Sequence, residues 1–222
     1  MLARAYASAW LVAFGGVATP AAAQQPPIRA DFAALLQRNE LHVFNRTAVP
    51  LTDGTRTGVR VSAGPGEGPG YLPGVAFGNG IIEFDVRGQD LQGQSFVGVA
   101  FHGVDSVTYD AVYFRPFNFR ATDPVRRAHG VQYISQPEQT WNRLRTEHPG
   151  KYEQAVEPVP DPNDWFHVRV VVDAPIVRVF VGDATAPTLV VTQLSNRKSG
   201  RVGIWVGNGS AGDFANLRIQ PH

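Results

Sequence analysis

Tyrosines and an arginine alternate along the stretch YDAVYFRPFNF, residues 109–119, before a proline interrupts it. Because successive side chains of a strand point to opposite faces, Tyr109, Tyr113 and Arg115 share one face, and Asn118 follows beyond the proline. Flat rings stack on the apolar C–H faces of sugars, and a guanidinium donates paired hydrogen bonds to hydroxyls. These residue types therefore predict one wall of a saccharide groove.

Two neighbouring segments supply more residues of the same kinds. Gln132 and Tyr133 lie on the next predicted strand, and Trp141 and Arg143 lie on a predicted helix. A structural interpretation stays open beside the groove, because tyrosines are common on sheets and a tryptophan can anchor a helix. Under the groove interpretation, replacing Arg115 would weaken binding and change stability by only about 1 kcal/mol.

Four titratable residues are the candidates for catalysis: Glu83, Asp85, His102 and His129. Glu83 and Asp85 share a strand face about 7 Å apart, and a strand-end histidine such as His102 could act as a base or a ligand. Each also has an ordinary structural interpretation, and Arg115 could pair with either acid across the sheet. No His-Glu-x-x-His or Gly-x-Ser-x-Gly spacing occurs, so catalysis would require the fold to bring these residues together.

Oxygen-rich turns offer the candidate metal sites. They occur at TDGT (52–55), DPNDW (161–165) and GNGSAGD (207–213). Calcium prefers carboxylate and carbonyl oxygens from such loops, although the same residues are typical of plain turns. Calcium is thus the one cofactor that the sequence suggests.

The first 23 residues predict export. A basic residue, Arg4, precedes an apolar run that ends in three alanines before Gln24, which is the arrangement of a cleaved signal peptide. Intact mass of the exported chain would test a start at Gln24. The chain has no cysteine, which excludes disulfides, thiolate metal sites and a lipid-bearing cysteine. We therefore expect a periplasmic or secreted protein with no membrane span after cleavage.

Charge excludes two classes of partner. Cleavage before Gln24 would leave 19 basic and 19 acidic residues, since Arg4 is the only charged residue removed. A nucleic-acid partner would call for a basic stripe, and so would binding to anionic lipid. We expect neither partner for the mature chain.

Short strands dominate the rest of the sequence and predict an all-β, antiparallel β-sandwich with one or two short helices. In RVGIWVG, Val202, Ile204 and Val206 face the predicted core, and Trp205 faces the other way. The glycine-rich segment 61–80 predicts a long loop with a short strand at its end. The predicted strands are 80–87, 95–101, 108–115, 130–134, 166–173, 176–182, 188–194, 201–207 and 213–219.

Two segments predict helices. The first, 29–41, begins with Asp31 as a capping residue. The second, 135–153, has Ser135 and Glu138 at the spacing of a capping box. We therefore divide the chain into a signal peptide (1–23), an N-terminal segment (24–40) and one sandwich domain (41–222).

The order of FGNGIIEFDVRG, QSFVGVAFHGVD, YDAVYFRPFNF and GRVGIWVGNGSAGDFANLRI resembles exported bacterial domains of the concanavalin A-like lectin and glucanase superfamily. Within it, the chain is most similar to the 3-keto-disaccharide hydrolase group, formerly a domain of unknown function, over about residues 40–220. The resemblance implies a jelly roll with a ligand on its concave sheet. Glucanases of the superfamily use an E-x-D-x-x-E strand, whose third position here is Gly88, so that activity is disfavoured.

Three functions are compatible with the resemblance: a non-catalytic saccharide-binding module, a hydrolase or lyase acting on glycosides, and a structural or protein-interaction domain of the cell envelope. Histidines clustered with Glu83 or Asp85 in an open groove would favour the enzyme. An open groove without titratable groups would favour the binding module, and a groove filled by its own side chains would favour the structural domain.

Overall fold

The structure, a computed structural model, describes residues 26–222. The predicted signal peptide and its cleavage point before Gln24 lie outside these residues. Within residues 26–222, no helix is both long enough and apolar enough to span a membrane.

Two antiparallel sheets pack face to face, as the sequence predicts. The front sheet has six strands in the order β4-β13-β6-β7-β8-β9, and the back sheet has the order β12-β11-β10-β5-β14-β3-β2, with β1 beside β14. The elements are β1 Ile28–Arg29, α1 Phe32–Gln37, β2 Ala48–Asp53, β3 Arg56–Val61, β4 Gly68–Phe77, β5 Gly80–Arg87, β6 Val97–Gly103, β7 Tyr109–Phe114, α2 Pro116–Phe119, α3 Pro124–Arg127, β8 Val131–Gln136, α4 Trp141–Glu147, β9 Glu153–Gln154, β10 Phe166–Asp173, β11 Ile176–Val181, β12 Leu189–Thr192, β13 Gly200–Val206 and β14 Gly212–Pro221.

Alternating apolar residues fill the space between the sheets. Val112 and Phe114 of β7 are fully buried, and the Phe114 ring lies 5.2 Å from that of Phe166 on the back sheet. Ile204 on β13 is buried on the same inner face as its neighbours Val202 and Val206. The inward faces predicted for both strands are therefore confirmed, and the side chains between them point to the outer face of the front sheet, where Tyr113 and Trp205 are also buried.

The prediction of a long loop at 61–80 is wrong. Half of this segment is the ten-residue strand β4, which forms one edge of the front sheet and pairs with β13. An edge strand tolerates prolines such as Pro69 and Pro73 better than a central strand, because only one side must supply ladder hydrogen bonds. The glycine and proline content therefore concealed a strand that borders the site.

The second predicted helix begins later than its sequence suggests. Ser135 belongs to β8, which continues to Gln136 opposite Tyr109, and the helix α4 is capped instead by Thr140. The segment VQYISQ forms a strand despite the capping-box spacing, because pairing with β7 supplies hydrogen-bond partners for its backbone amides and carbonyls. The cap predicted for the first helix is confirmed, since Asp31 accepts a hydrogen bond from the amide of Ala34 at 3.0 Å.

Candidate functional site

A cavity of about 460 Å³ lies over the outer face of the front sheet, and we call it the front cavity. Tyr113 of β7 and Trp205 of β13 form its floor, on either side of the glycine Gly98 of β6. A Cβ at position 98 would lie 2.1 Å from the carbonyl oxygen of Val112, so only glycine fits there. Residues lining the cavity are Glu67, Gln92, Gly93, Phe96, Tyr113, Arg115, Phe117, Asn118, Arg126, His129, Trp141, Arg145, Trp205, Gly207 and Asn208.

The floor of the front cavity is aromatic. The rings of Tyr113 and Trp205 are 4.8 Å apart and tilted by 35°, and Phe96 meets Tyr113 edge-on at 6.1 Å. Phe96 also meets Phe117 edge-on at 5.5 Å, which extends the apolar wall. Because each ring packs against another, the floor is held in one geometry before any ligand arrives.

Arg115 is fixed beside this floor by polar contacts. Its Nη2 donates to the hydroxyl of Tyr113 at 2.7 Å and to the Oε1 of Gln132, and its Nη1 donates to the carbonyl of His129 at 3.0 Å. The arginine side chain is only 5% exposed. Burial lowers the pKa of Arg115 and raises the pKa of Tyr113 to about 12. Arg115 is thus both a wall of the cavity and a buried structural group.

Glu153 is the buried counter-ion of this corner. Its carboxylate accepts two hydrogen bonds from Arg145, at 2.9 and 2.7 Å, and lies 3.7 Å from Nη1 of Arg115. It also lies 3.3 Å from Nε2 of His129, whose pKa is lowered by burial and by the nearby arginines despite the pull of Glu153. The alternative that Arg115 pairs with Glu83 or Asp85 is therefore wrong.

Glu67 is the one carboxylate that lines the front cavity among the described residues. The hydroxyl of Tyr109 donates to it, and the amide nitrogen of Gln136 lies 2.9 Å from its Oε1. Trp205 donates in turn to the Tyr109 hydroxyl at 3.0 Å. Burial raises the pKa of Glu67, although the hydrogen bonds from Tyr109 and Gln136 oppose that shift. The cavity thus contains a carboxyl group that gains a proton more readily than an exposed one.

Trp141 and two cations form the outer rim. Trp141 begins α4 and leaves 44% of its surface exposed, with the guanidinium carbon of Arg145 5.1 Å from its ring centre. On the other side, Nη2 of Arg126 donates to the carbonyl of Phe117 at 3.3 Å. The rim therefore offers a flat aromatic surface and guanidinium donors to an incoming ligand.

The structure distributes the eight predicted ligand residues over four environments. Four of them, Tyr113, Arg115, Asn118 and Trp141, line the front cavity. Tyr109 and Gln132 lie buried behind it and hold lining residues in place. Tyr133 faces the core, where its hydroxyl donates to Asp110, and Arg143 lies outside the cavity, hydrogen-bonded to Glu147.

The four catalytic candidates are not brought together. Glu83 and Asp85 lie on the back sheet, where Glu83 accepts from Arg218 at 2.8 Å and Asp85 lies 2.8 Å from His167. His102 is fully buried between the sheets. Only His129 reaches the front cavity. Their separation on opposite sheets means that neither histidine of this set shares a ligand space with Glu83 or Asp85.

Sequence reasoning missed Glu67, Glu153 and Arg126. Glu67 is the only charged residue of the glycine-rich segment 61–80, and that isolation was a usable signal. Glu153 and Arg126 have no comparable local signal, because β9 has two residues and α3 has four. The orientation of Trp205, between Gly203 and Gly207 and away from the core, was visible in the strand pattern.

No group of three or more His, Asp or Glu side chains in residues 26–222 is arranged to hold a metal ion. In the first predicted turn, Asp53 accepts hydrogen bonds from Arg87 at 2.7 Å and from the indole of Trp165 at 2.9 Å. The calcium prediction stays a prediction from turn composition.

Comparison with known proteins identifies the fold. Neither a protein-family model nor a curated protein matches this sequence. Among solved structures, carbohydrate-binding module CBM66 from Bacillus subtilis is similar with a TM-score of 0.59 and 12% identity, over 81% of this chain and 95% of that one. A Bacillus subtilis protein of unknown function with a galectin-like fold is similar with a TM-score of 0.57 and 11% identity, over 89% of this chain and 96% of that one. The exoplasmic/lumenal domain of VIP36, in a Ca²⁺- and Man-bound form, is similar with a TM-score of 0.51 and 11% identity, over 78% of this chain and 80% of that one. At these identities the shared feature is the lectin-like β-sandwich, and function must be argued from the site.

Proposed function

We propose that this domain binds a saccharide in the front cavity, outside the cytoplasm. The observation that carries the proposal is the aromatic lining of this cavity, in which Trp141 exposes 44% of its surface above the buried floor of Tyr113 and Trp205. Sugars need a flat apolar surface for their C–H face and fixed donors for their hydroxyls, and the ring of Trp141 and the guanidinium groups of Arg126 and Arg145 supply them. Export rests on the first 23 residues alone.

The size of the front cavity supports the proposal. Its volume of about 460 Å³ falls in the range of roughly 300–1,000 Å³ that is typical of small-molecule sites. A cavity of this size is not filled by its own side chains, which disfavours the purely structural alternative. The names of two structural neighbours, a carbohydrate-binding module and a Man-bound domain, also favour a saccharide as the ligand.

Trp141 tests the proposal, because it lines the cavity and is exposed enough to be dispensable for folding. After a glycan array identifies a bound sugar, we expect Trp141→Ala to weaken its affinity about tenfold, the loss of a stacked ring. The free energy of unfolding should change by less than about 1 kcal/mol. Calorimetric titration and urea melts measure the two effects.

Phe44→Ala is the matched control, since Phe44 is an aromatic residue of similar exposure, 37%, that does not line the front cavity. It should leave sugar affinity unchanged. A blank array, or equal losses of affinity in the two variants, would refute binding at the front cavity.

Glu67 favours a second candidate function, an enzyme that cleaves glycosides, as the resemblance to 3-keto-disaccharide hydrolases suggests. A carboxyl group with a raised pKa inside a ligand cavity is suited to proton transfer. Hydrolysis by two carboxylates needs a partner about 5–10 Å away, and no second carboxylate lines this cavity among the described residues. Binding therefore remains the first proposal.

Glu67→Gln separates binding from cleavage. The amide keeps the size of the side chain and an oxygen acceptor for Tyr109, so we expect sugar affinity to stay within about threefold. Any cleavage of glycosides or 3-keto glycosides by the wild type should fall by about 100-fold or more, the usual contribution of a general acid or base. Cleavage at the wild-type rate would exclude Glu67 from the chemistry.

A further inference from the structure

Positive charge is concentrated at one end of the front cavity. Arg126, His129 and Arg145 line that end together with Arg115, whereas Glu67 is held by the Tyr109 hydroxyl near the start of β7. Arg115 directly follows the other end of β7. The cavity therefore has a cationic end, which we define by Arg115, Arg126 and Arg145, with His129 beside them.

The buried counter-ion does not neutralise this end. Glu153 supplies one negative charge to two arginines, since it accepts two hydrogen bonds from Arg145 and lies 3.7 Å from Arg115. Its side chain is only 3% exposed and does not line the cavity. Burial lowers the pKa of His129, which keeps that ring neutral near pH 7. One arginine charge is thus balanced and a second is left over.

Arg126 adds a further charge with no counter-ion. The one hydrogen bond that its guanidinium makes in residues 26–222 goes to the carbonyl of Phe117, at the long distance of 3.3 Å, and no described carboxylate lies within 4 Å of its guanidinium nitrogens. A guanidinium has five N–H donors, so most of the donors of Arg126 are free to bind a ligand. Arg145 uses Nε and Nη2 for Glu153, which leaves Nη1.

A neutral sugar would displace water from these guanidinium groups and offer them only hydroxyl oxygens, which are weak hydrogen-bond acceptors. Desolvating a cation without an opposite charge is costly, whereas charge-assisted hydrogen bonds to an anion are roughly twice as strong as neutral ones. The arrangement of the exposed ring of Trp141 beside unbalanced guanidinium groups therefore matches a sugar ring that carries an acidic substituent.

We propose that the saccharide bound in the front cavity is acidic, and that its anionic group, a carboxylate or a sulfate, lies between Arg126 and Arg145 while its ring packs on Trp141. This inference rests on the proposed saccharide-binding function and adds the chemical class of the ligand. Arg126 is the residue that sets this specificity, because it is the lining arginine without a carboxylate partner in residues 26–222.

Matched probes test the inference. We would titrate the purified protein with methyl glucuronide, methyl glucoside and methyl glucoside 6-sulfate, and with the same three derivatives of galactose. We expect at least one acidic probe to bind about tenfold or more tightly than its neutral counterpart. Raising NaCl from about 50 to about 500 mM should weaken the acidic probe alone, because salt screens the charge interaction.

Arg126→Ala should remove this preference. We expect it to weaken the acidic probe about tenfold or more and the neutral probe by about threefold at most, because a hydroxyl accepts a weaker hydrogen bond from a guanidinium than an anion does. Arg178→Ala, which removes an arginine from the back sheet, should change neither. Stronger binding of the sulfate or of the carboxylate would identify the anionic group.

Two negative results have different meanings. If neutral and acidic probes bind equally and Arg126→Ala weakens neither, the acidic-ligand inference is wrong and saccharide binding stands. If no probe binds and a glycan array containing neutral, uronate and sulfated glycans is also blank, the saccharide-binding proposal itself fails.

Discussion

Phe114→Ala is expected to lower the free energy of unfolding by about 3–5 kcal/mol and to leave the affinity of the folded protein for saccharide within about threefold. Phe114 is fully buried between the sheets, where its ring lies 5.2 Å from that of Phe166 and 6.4 Å from that of Phe119. The substitution creates a cavity on the inner face of β7, while Tyr113 points to the outer face. Urea melts and calorimetric titration on the folded fraction would measure both quantities.

Val190→Ala provides the control for this experiment. Val190 is 51% exposed on β12, so its replacement should change stability by less than about 0.5 kcal/mol. If Phe114→Ala proves as mild as this control, the assignment of inner and outer faces to β7 is wrong, and with it the position of Tyr113 on the cavity floor.

Strands with a strict alternation were predictable from sequence. The boundaries of β5 and β10 agree with those expected from GIIEFDVR and FHVRVVVD, because one buried face imposes a period of two on these segments. β4 was missed because its glycines and prolines suit an edge strand but are also typical of loops. The hairpin of β2 and β3 was missed for a related reason, since both strands leave several residues exposed and show no continuous apolar face.

The site was only partly predictable, because its residues meet through sheet order. Tyr113 and Arg115 were identifiable, since they share one strand face. Sequence alone did not indicate that β13 would place Trp205 beside Tyr113, with one strand between them. Nor did it indicate that Glu83 would lie on the back sheet, away from Arg115. Strand alternation determines faces, whereas long-range strand pairing determines which faces meet.

Arg115 shows how burial changes an expectation drawn from the strand pattern. From the strand pattern, replacing an arginine on the outer face was expected to weaken binding and to change the free energy of unfolding by only about 1 kcal/mol. In the structure its side chain is 5% exposed, and it donates to Tyr113, Gln132 and the carbonyl of His129 while lying 3.7 Å from Glu153. Removing it would leave buried acceptors and part of a buried negative charge without a partner.

We therefore expect Arg115→Ala to lower the free energy of unfolding by about 3 kcal/mol and to weaken saccharide binding about tenfold. Stability and binding would then be lost together. Arg115→Lys keeps the charge and loses the forked donors, and it should lie between wild type and alanine in both respects. A double-mutant cycle with Glu153→Gln should show coupling of at least about 0.5 kcal/mol in urea melts. If Arg115→Ala weakens binding while its free energy of unfolding stays within about 1 kcal/mol of the wild-type value, the contacts with Gln132 and Glu153 do not stabilise the fold. Arg115 would then act on the ligand alone, as its position on the strand first suggested.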